Sequence, residues 1–70
     1  MSIELNINGK TGSFTGVEQI VDLLKALGIE ATASGIAVAI NDHVIPRSQW
    51  DTHKIVDGDQ IELVHAVQGG

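Results

Sequence analysis

The most chemically suggestive part of the sequence is its last segment, Ala66-Val67-Gln68-Gly69-Gly70. Gly69 and Gly70 have no Cβ atoms, so they can form a slim arm that enters an active site too narrow for bulkier chains. Small residues at a chain end also favour flexibility, so a flexible tail is expected at 67–70. The sequence therefore predicts that the reactive group is the terminal carboxylate of Gly70.

Side chains elsewhere do not form a pattern that indicates catalysis or metal binding. The separations between His43, His53 and His65 match no local zinc motif, and the chain has no cysteine to complete one. Asp57 and Asp59 flank a glycine, but the other ligands of a calcium loop are missing, so we interpret both as solvated turn residues. We expect no bound cofactor, no metal and no enzyme activity in the chain itself.

Composition limits both the fold and the partners. A chain of 70 residues with 43% hydrophobic residues and no cysteine fits a single domain over 1–70 with one core and no disulfides. A formal charge of −5 argues against binding to nucleic acid. The longest apolar run, Ile36 to Ile40, is too short for a membrane span, and the first residues do not resemble a signal peptide. We therefore expect a cytoplasmic protein that binds neither nucleic acid nor membrane.

The first residues predict a β-hairpin. Ile3, Leu5 and Ile7 alternate with polar residues, as in a strand with one buried face. Asn8-Gly9 follows, and this dipeptide favours a type I′ turn. Lys10 to Thr15 should therefore return as an antiparallel strand.

A helix is expected next. Thr15-Gly16-Val17-Glu18 fits a capping box, so the helix should start there and run to Leu27, where Gly28 would end it. The apolar residues that recur at helical spacing, and that should form its buried stripe, are Val17, Ile20, Val21, Leu24 and Leu27.

The second half of the chain predicts a loop at 30–35 and further strands. The first is Ile36 to Ile40, followed by a turn at Asn41-Asp42 and a short strand at Val44-Ile45 that Pro46 stops. A turn at Asp57-Gly58-Asp59 then leads into a last strand at Gln60 to Val67. In the irregular segment between them, we expect Trp50 to cover an edge of the core and Arg47 to be solvated.

This order of elements predicts an α+β domain of the β-grasp type, a mixed sheet of four to five strands with one helix packed on one face. The last strand would lie parallel to the first in the middle of the sheet, although the sequence alone leaves the strand order open. One helix covers only one face, so strand alternation sends four small apolar residues to the open face. We interpret these as a surface for docking of partners, and they are Ala37, Ala39, Val64 and Ala66.

Several segments together resemble one known family. They are Val38-Ala39-Ile40-Asn41, Val44-Ile45-Pro46-Arg47-Ser48-Gln49-Trp50, Asp57-Gly58-Asp59 and Ala66-Val67-Gln68-Gly69-Gly70. Over essentially its whole length the sequence resembles the ThiS family, small sulfur carriers of thiamine thiazole biosynthesis within the ubiquitin-like β-grasp group.

The resemblance implies a reaction at the chain terminus. An adenylating enzyme of the ubiquitin-activating type would use ATP to activate the carboxylate of Gly70, and a sulfur donor protein would displace AMP to leave a thiocarboxylate. A thiazole synthase would then accept the sulfur. Val67, Gln68 and Gly69 would thread through the active sites of these partners.

Three other functions fit the same fold and terminus. The small sulfur-carrying subunit of molybdopterin synthase shares the fold, the Gly-Gly end and the activation chemistry, although the segment from Pro46 to Trp50 favours the thiazole carrier. A ubiquitin-like modifier would join Gly70 to a lysine of a target protein. A plain interaction module would make no use of the glycines.

Overall fold

The computed structural model describes residues 2–65, so Ala66 and the tail expected at 67–70 lie outside the described residues. The described part contains five strands and one α-helix, in an order that confirms the α+β prediction. The elements are β1 (Ser2–Ile7), β2 (Lys10–Thr15), α1 (Ile20–Ala26), β3 (Ile36–Ile40), β4 (His43–Val44) and β5 (Gln60–His65), with a 3₁₀ turn at Arg47–Gln49 between β4 and β5. No helix among residues 2–65 is long and apolar enough to cross a membrane.

The strands form one mixed sheet in the order β2-β1-β5-β3-β4. β5 lies parallel to β1, with Ile7 opposite Ile61, and antiparallel to β3, with Val38 opposite Leu63. The last strand therefore lies beside the first in the middle of the sheet, as the β-grasp prediction requires.

The β1–β2 hairpin confirms the predicted turn. Asn8 and Gly9 both have positive φ angles, 52° and 88°, which a type I′ turn requires at its two central positions. The Asn6 side chain accepts a hydrogen bond from the Gly9 N–H at 3.0 Å. The register of the hairpin places Ile3 opposite Phe14 and Ile7 opposite Lys10.

The helix begins later than predicted, so the capping box expected at Thr15–Glu18 is wrong. Gly16 has a φ of +77°, which turns the chain away from a helical path, and Gln19 is the N-cap of α1. The carboxylate of Asp22 instead accepts the N–H groups of Glu18 and Gln19, both at 3.0 Å. The hydrogen bond from Gln19, with help from that of Glu18, lowers the pKa of Asp22.

The later start also changes which helical residues are buried. With Ile20 as the first helical residue, the positions three and four residues on are Leu23 and Leu24, and all three are at most 1% exposed. Leu27 lies past the end of α1 and is 38% exposed. The predicted stripe was therefore wrong to include Leu27 and to omit Leu23.

The core lies between α1 and one face of the sheet, and the irregular segment contributes to it more than predicted. Trp50 is only 3% exposed, so it belongs to the core itself and not to its edge, and its indole N–H donates to the Ile45 carbonyl at 3.0 Å. Ile45 leaves the short strand and turns inward, so β4 is His43–Val44, one residue earlier than predicted. The buried hydrophobic residues are Leu5, Val17, Ile20, Leu23, Leu24, Ile36, Val38, Ile40, Ile45, Trp50, Ile55 and Ile61.

Candidate functional site

The sheet face opposite α1 has an apolar half on β3, β4 and β5. Ala37 lies directly across from Val64, and Ala39 lies across from Val44 on the other side of β3. Val64 is 58% exposed and Val44 is 77% exposed, while Ala37 is exposed and Ala39 half-buried. We call these four residues the open-face patch.

Three residues of the patch are among those predicted to lie on the open face, while their role in docking stays a prediction. Ala37, Ala39 and Val64 lie on one face, as strand alternation requires, and Ala66 lies outside the described residues. Val44 was missed because it was predicted only as part of a short return strand. Its alternation with Ile45, which is buried, is the signal that could have identified it.

The other half of the same face is polar. The register of β1 and β2 places Glu4 opposite Ser13 and Asn6 opposite Thr11, on the side away from the core residue Leu5. Glu62 lies on β5 beside the patch, opposite Ala39. The open face is therefore asymmetric, and its apolar half is the one that adjoins the end of β5.

The patch is close in sequence to the terminal glycines. Val64 is six residues before Gly70, and an extended chain of that length spans about 20 Å. A protein that bound the patch would therefore hold the terminal carboxylate within about 20 Å of the contact. Of the residues that follow Val64, His65 is described, and Ala66 to Gly70 lie outside the described part of the chain.

The turn before β5 is held by side chains, which corrects one prediction. Asp59 is only 8% exposed and accepts hydrogen bonds from the Val56 N–H at 3.0 Å and the Asn41 side chain at 3.1 Å. The neighbouring Asp57 accepts the Glu4 N–H at 2.7 Å. Both carboxylates hold the turn that precedes β5 by hydrogen bonds. Asp59 is buried, so it is not the solvated turn residue that was predicted.

The histidines differ in their exposure and do not form a candidate metal site. His43 and His65 are exposed, and His53 is half-buried. Within residues 2–65, no group of three or more histidine and acidic side chains could hold a metal ion.

Arg47 is exposed but has specific contacts, so the prediction of a solvated side chain was incomplete. Its guanidinium lies over the Trp50 ring at 4.5 Å from the centroid. It also donates hydrogen bonds to the carbonyls of Ala31 and Ala33, the latter at 2.7 Å. Arg47 and Trp50 are three residues apart, which puts them on one side of a 3₁₀ turn. That spacing was visible in the sequence, whereas the loop carbonyls that Arg47 binds were not.

A mixed five-stranded sheet with one helix across it, in which the last strand lies parallel to the first in the middle, defines a small β-grasp protein of the ubiquitin-like group. Comparison with known families then identifies the group more closely, because the ThiS family model matches residues 5–70. The chain belongs to the ThiS family, as the sequence resemblance indicated.

Individual relatives agree with this assignment. The chain is 40% identical over 53 residues to "Sulfur carrier protein ThiS" of Escherichia coli, an alignment that covers 76% of this chain and 77% of that protein. It is also 31% identical over 68 residues to a "Thiazole synthase" of Paramagnetospirillum magneticum, covering 97% of this chain but 20% of that protein.

Solved structures show the same fold. The crystal structure of the thiamine biosynthesis protein ThiS from Geobacter metallireducens matches with a TM-score of 0.77 and 33% identity, over 97% of this chain and 100% of that one. An NMR structure of a thiamine biosynthesis protein from the same organism gives a TM-score of 0.78 and 31% identity, over 97% and 88% of the two chains. The predicted ubiquitin-like β-grasp fold is confirmed.

Proposed function

We propose that this chain is a sulfur carrier of thiamine biosynthesis, and that the sulfur is carried as a thiocarboxylate on Gly70. The observation that supports this most directly is membership of the ThiS family across residues 5–70, which includes the terminal glycines. In this proposal the chain is not an enzyme but the substrate of its partners. The open-face patch is the surface on which those partners dock.

The terminal carboxylate of Gly70 is a poor electrophile and must be activated before sulfur can be attached to it. A carboxylate is activated when its oxygen attacks the α-phosphate of ATP and pyrophosphate leaves, which gives an acyl adenylate. A sulfur donor protein then supplies sulfur at the oxidation level of sulfide, and this sulfur attacks the carbonyl carbon. The C–S bond forms as the C–O bond to AMP breaks, so the thiocarboxylate and AMP are the products. Where the donor holds the sulfur as a persulfide, a thiol reductant must also cleave the S–S bond to the donor. Both steps take place in the active site of an adenylating enzyme of the ubiquitin-activating type, so ATP is used by the partner and the carrier holds no cofactor. Because activation consumes ATP, the cytoplasm is the expected compartment.

Thiazole synthase is the proposed acceptor of the sulfur. A protein named thiazole synthase contains a stretch of its own sequence that aligns with 97% of this chain. Two functions joined in one polypeptide often act in succession, so this alignment supports thiazole synthase as a partner. It also favours the thiazole pathway over the molybdopterin pathway, which the fold and the Gly-Gly end alone do not distinguish.

The open-face patch supports the docking part of the proposal. Four small apolar side chains, two of them exposed valines, form a surface on adjacent strands with Glu62 at its border. A partner bound there would keep the terminal carboxylate within reach of its active site, which raises the effective concentration of the reacting group. Val67, Gln68 and Gly69 would then form the segment that enters that site.

Intact mass measurement after incubation with the adenylating enzyme, ATP and a sulfur source tests the proposal. We expect one oxygen to be exchanged for one sulfur, and the product to support thiazole formation by thiazole synthase. Covalent adducts with other proteins would indicate a modifier instead. Sulfur transfer only to the large subunit of molybdopterin synthase would indicate the rival carrier.

A variant extended by one residue after Gly70 tests the role of the terminus itself. The extra residue places the carboxylate out of register with the active site, so adenylation should fall below detection while the circular dichroism spectrum stays unchanged. Adenylation and thiolation of the untrimmed extended chain would contradict the proposal.

A further inference from the structure

The pairing of β5 with β1 continues beyond the end of β1. Backbone hydrogen bonds run from the Asn6 N–H to the Asp59 carbonyl at 3.1 Å and from the Asn8 N–H to the Ile61 carbonyl at 2.9 Å. β1 covers Ser2–Ile7, and at Asn8 the chain turns towards β2. The last backbone pair between the two strands is therefore Ile7 opposite Ile61, and the Asn8 N–H makes the last backbone hydrogen bond from this side.

The Asn8 side chain adds one more pair of hydrogen bonds to β5. Its Oδ1 accepts the Leu63 N–H at 2.8 Å, and its Nδ2 donates to the Leu63 carbonyl at 3.0 Å. A side-chain amide offers the same donor and acceptor as a peptide group, so Asn8 replaces the backbone partner that β1 no longer supplies. The pairing therefore extends two residues further along β5, from Ile61 to Leu63.

Leu63 is a sensitive position because it directly precedes the segment that leads to the terminus. The next residue, Val64, belongs to the open-face patch, and Gly70 is seven residues from Leu63. Without the Asn8 side chain, the last contact of β5 with β1 would be at Ile61, and the strand from Glu62 to His65 would be paired on one side only, with β3. A strand end that is paired on one side opens more readily than one paired on both sides, and each opening widens the range of positions that the Gly70 carboxylate can occupy.

We propose that Asn8 is a positioning residue for the reaction at Gly70. By pairing the second edge of β5 at Leu63 it keeps the end of the strand closed, so that a partner bound at the patch finds the carboxylate in its active site. This inference rests on the proposed function, because it concerns the rate at which Gly70 is adenylated.

The variant Asn8→Gly separates the effect of the Asn8 side chain from that of the turn conformation. Glycine adopts the positive φ of this position without strain, so the turn is kept while both hydrogen bonds to Leu63 are lost. Asn8→Asp keeps an acceptor for the Leu63 N–H and loses the donor to its carbonyl.

Asn41→Gly is a matched control, because the Asn41 side chain also contacts β5 from a turn. Asn41 also has a positive φ, +50°, and its side chain accepts the Gln60 N–H at 3.0 Å and donates to Asp59 at 3.1 Å. The substitution therefore removes the same kind of contact from the beginning of β5, away from the terminus. A general loss of stability should appear in both glycine variants.

We expect Asn8→Gly to accelerate hydrogen exchange at the Leu63 amide and to lower the adenylation rate at saturating carrier about tenfold, the equivalent of two ordinary hydrogen bonds. The Kd for the adenylating enzyme should change less than about twofold, because the patch is untouched. Asn8→Asp should lie between wild type and Asn8→Gly. Asn41→Gly should be adenylated at the wild-type rate, although exchange at its Gln60 amide is faster.

Three outcomes would overturn the inference. One is a wild-type adenylation rate in Asn8→Gly with rapid exchange at Leu63, and another is unchanged exchange at Leu63. The third is an equal loss of rate in Asn41→Gly, which would indicate general destabilisation. If the wild-type carrier itself is not adenylated, the proposed function fails and the inference fails with it. If the wild type is adenylated, the relative adenylation rates of the variants test the inference alone.

Discussion

The two ends of β5 differ in their surroundings. At its beginning, Asp59 and Ile61 are 8% and 1% exposed and are held by the preceding turn, by β1 and by the core. Towards its end, Val64 is 58% exposed and lies on a face that α1 does not cover. Within a few residues of β5, the side chains thus change from buried in the core to exposed on the open face. Stability and partner binding should therefore be separable by substitutions along β5.

The largest expected effect is at the buried end. Ile61→Ala removes a fully buried side chain from a small core, and such truncations cost about 2–5 kcal/mol in the free energy of unfolding. Urea denaturation followed by circular dichroism measures this loss. Adenylation of the fraction that remains folded should be unaffected, and a loss below about 1 kcal/mol would show that the core does not depend on this residue.

A second, smaller loss of stability is expected at the turn before β5. Asp59→Ala leaves the Val56 N–H and the Asn41 side chain without their acceptor, which should cost about 1–3 kcal/mol. Asp57→Ala is the matched control, because Asp57 is exposed and accepts a single hydrogen bond, from Glu4. Its cost, measured in the same denaturation experiment, should be smaller. Equal losses in the two variants would contradict the structural role assigned to the buried carboxylate.

At the exposed end of β5, a substitution should weaken partner binding and leave stability nearly unchanged. Val64→Asp should change the free energy of unfolding by less than about 1 kcal/mol, because the side chain is exposed. It should weaken binding to the adenylating enzyme about tenfold, because a charge placed in an apolar contact must be desolvated. Isothermal titration calorimetry gives the Kd.

Thr11→Asp is the control for that experiment. Thr11 lies opposite Asn6 on the polar half of the same sheet face, so the substitution adds the same charge outside the open-face patch. It should leave the Kd within about twofold of wild type, since surface changes away from a contact have little effect. If both variants weaken binding equally, net charge and not the patch determines the affinity.

The features that the sequence could predict are those that depend on local contacts. The hairpin was predicted correctly because Asn8-Gly9 specifies its turn without help from the rest of the chain. The burial of β3 and β5 was predicted from strand alternation, which also put three residues of the open-face patch on one side.

The errors concern contacts that depend on tertiary structure. Asp59 is held by Asn41, and Arg47 by carbonyls of the 31–33 loop, partners 18 and 14–16 residues away that no local pattern reveals. The helix start was wrong because the motif at Thr15–Glu18 was matched by residue type, while Gly16 adopts a left-handed conformation that prevents a helix there. Because the helix was expected to start too early, the predicted buried stripe included Leu27, which is exposed, and left out Leu23, which is buried.

The smallest expected effect on stability is at Asp22, a carboxylate at the start of α1. Asp22 accepts two backbone N–H groups before the first turn of α1, and these bonds hold its pKa below the ordinary value of 3.8. A carboxyl whose pKa is lowered on folding stabilises the protein when ionised, so its contribution is present above about pH 4 and is lost as the pH falls through the folded-state pKa. Asp22→Ala should therefore lower the free energy of unfolding at pH 7 by about 0.5–1 kcal/mol, the usual worth of a helix cap. The difference from wild type should shrink at pH 3, measured by urea denaturation at both pH values. A difference that is the same at both would mean that the cap does not act through the charge of Asp22.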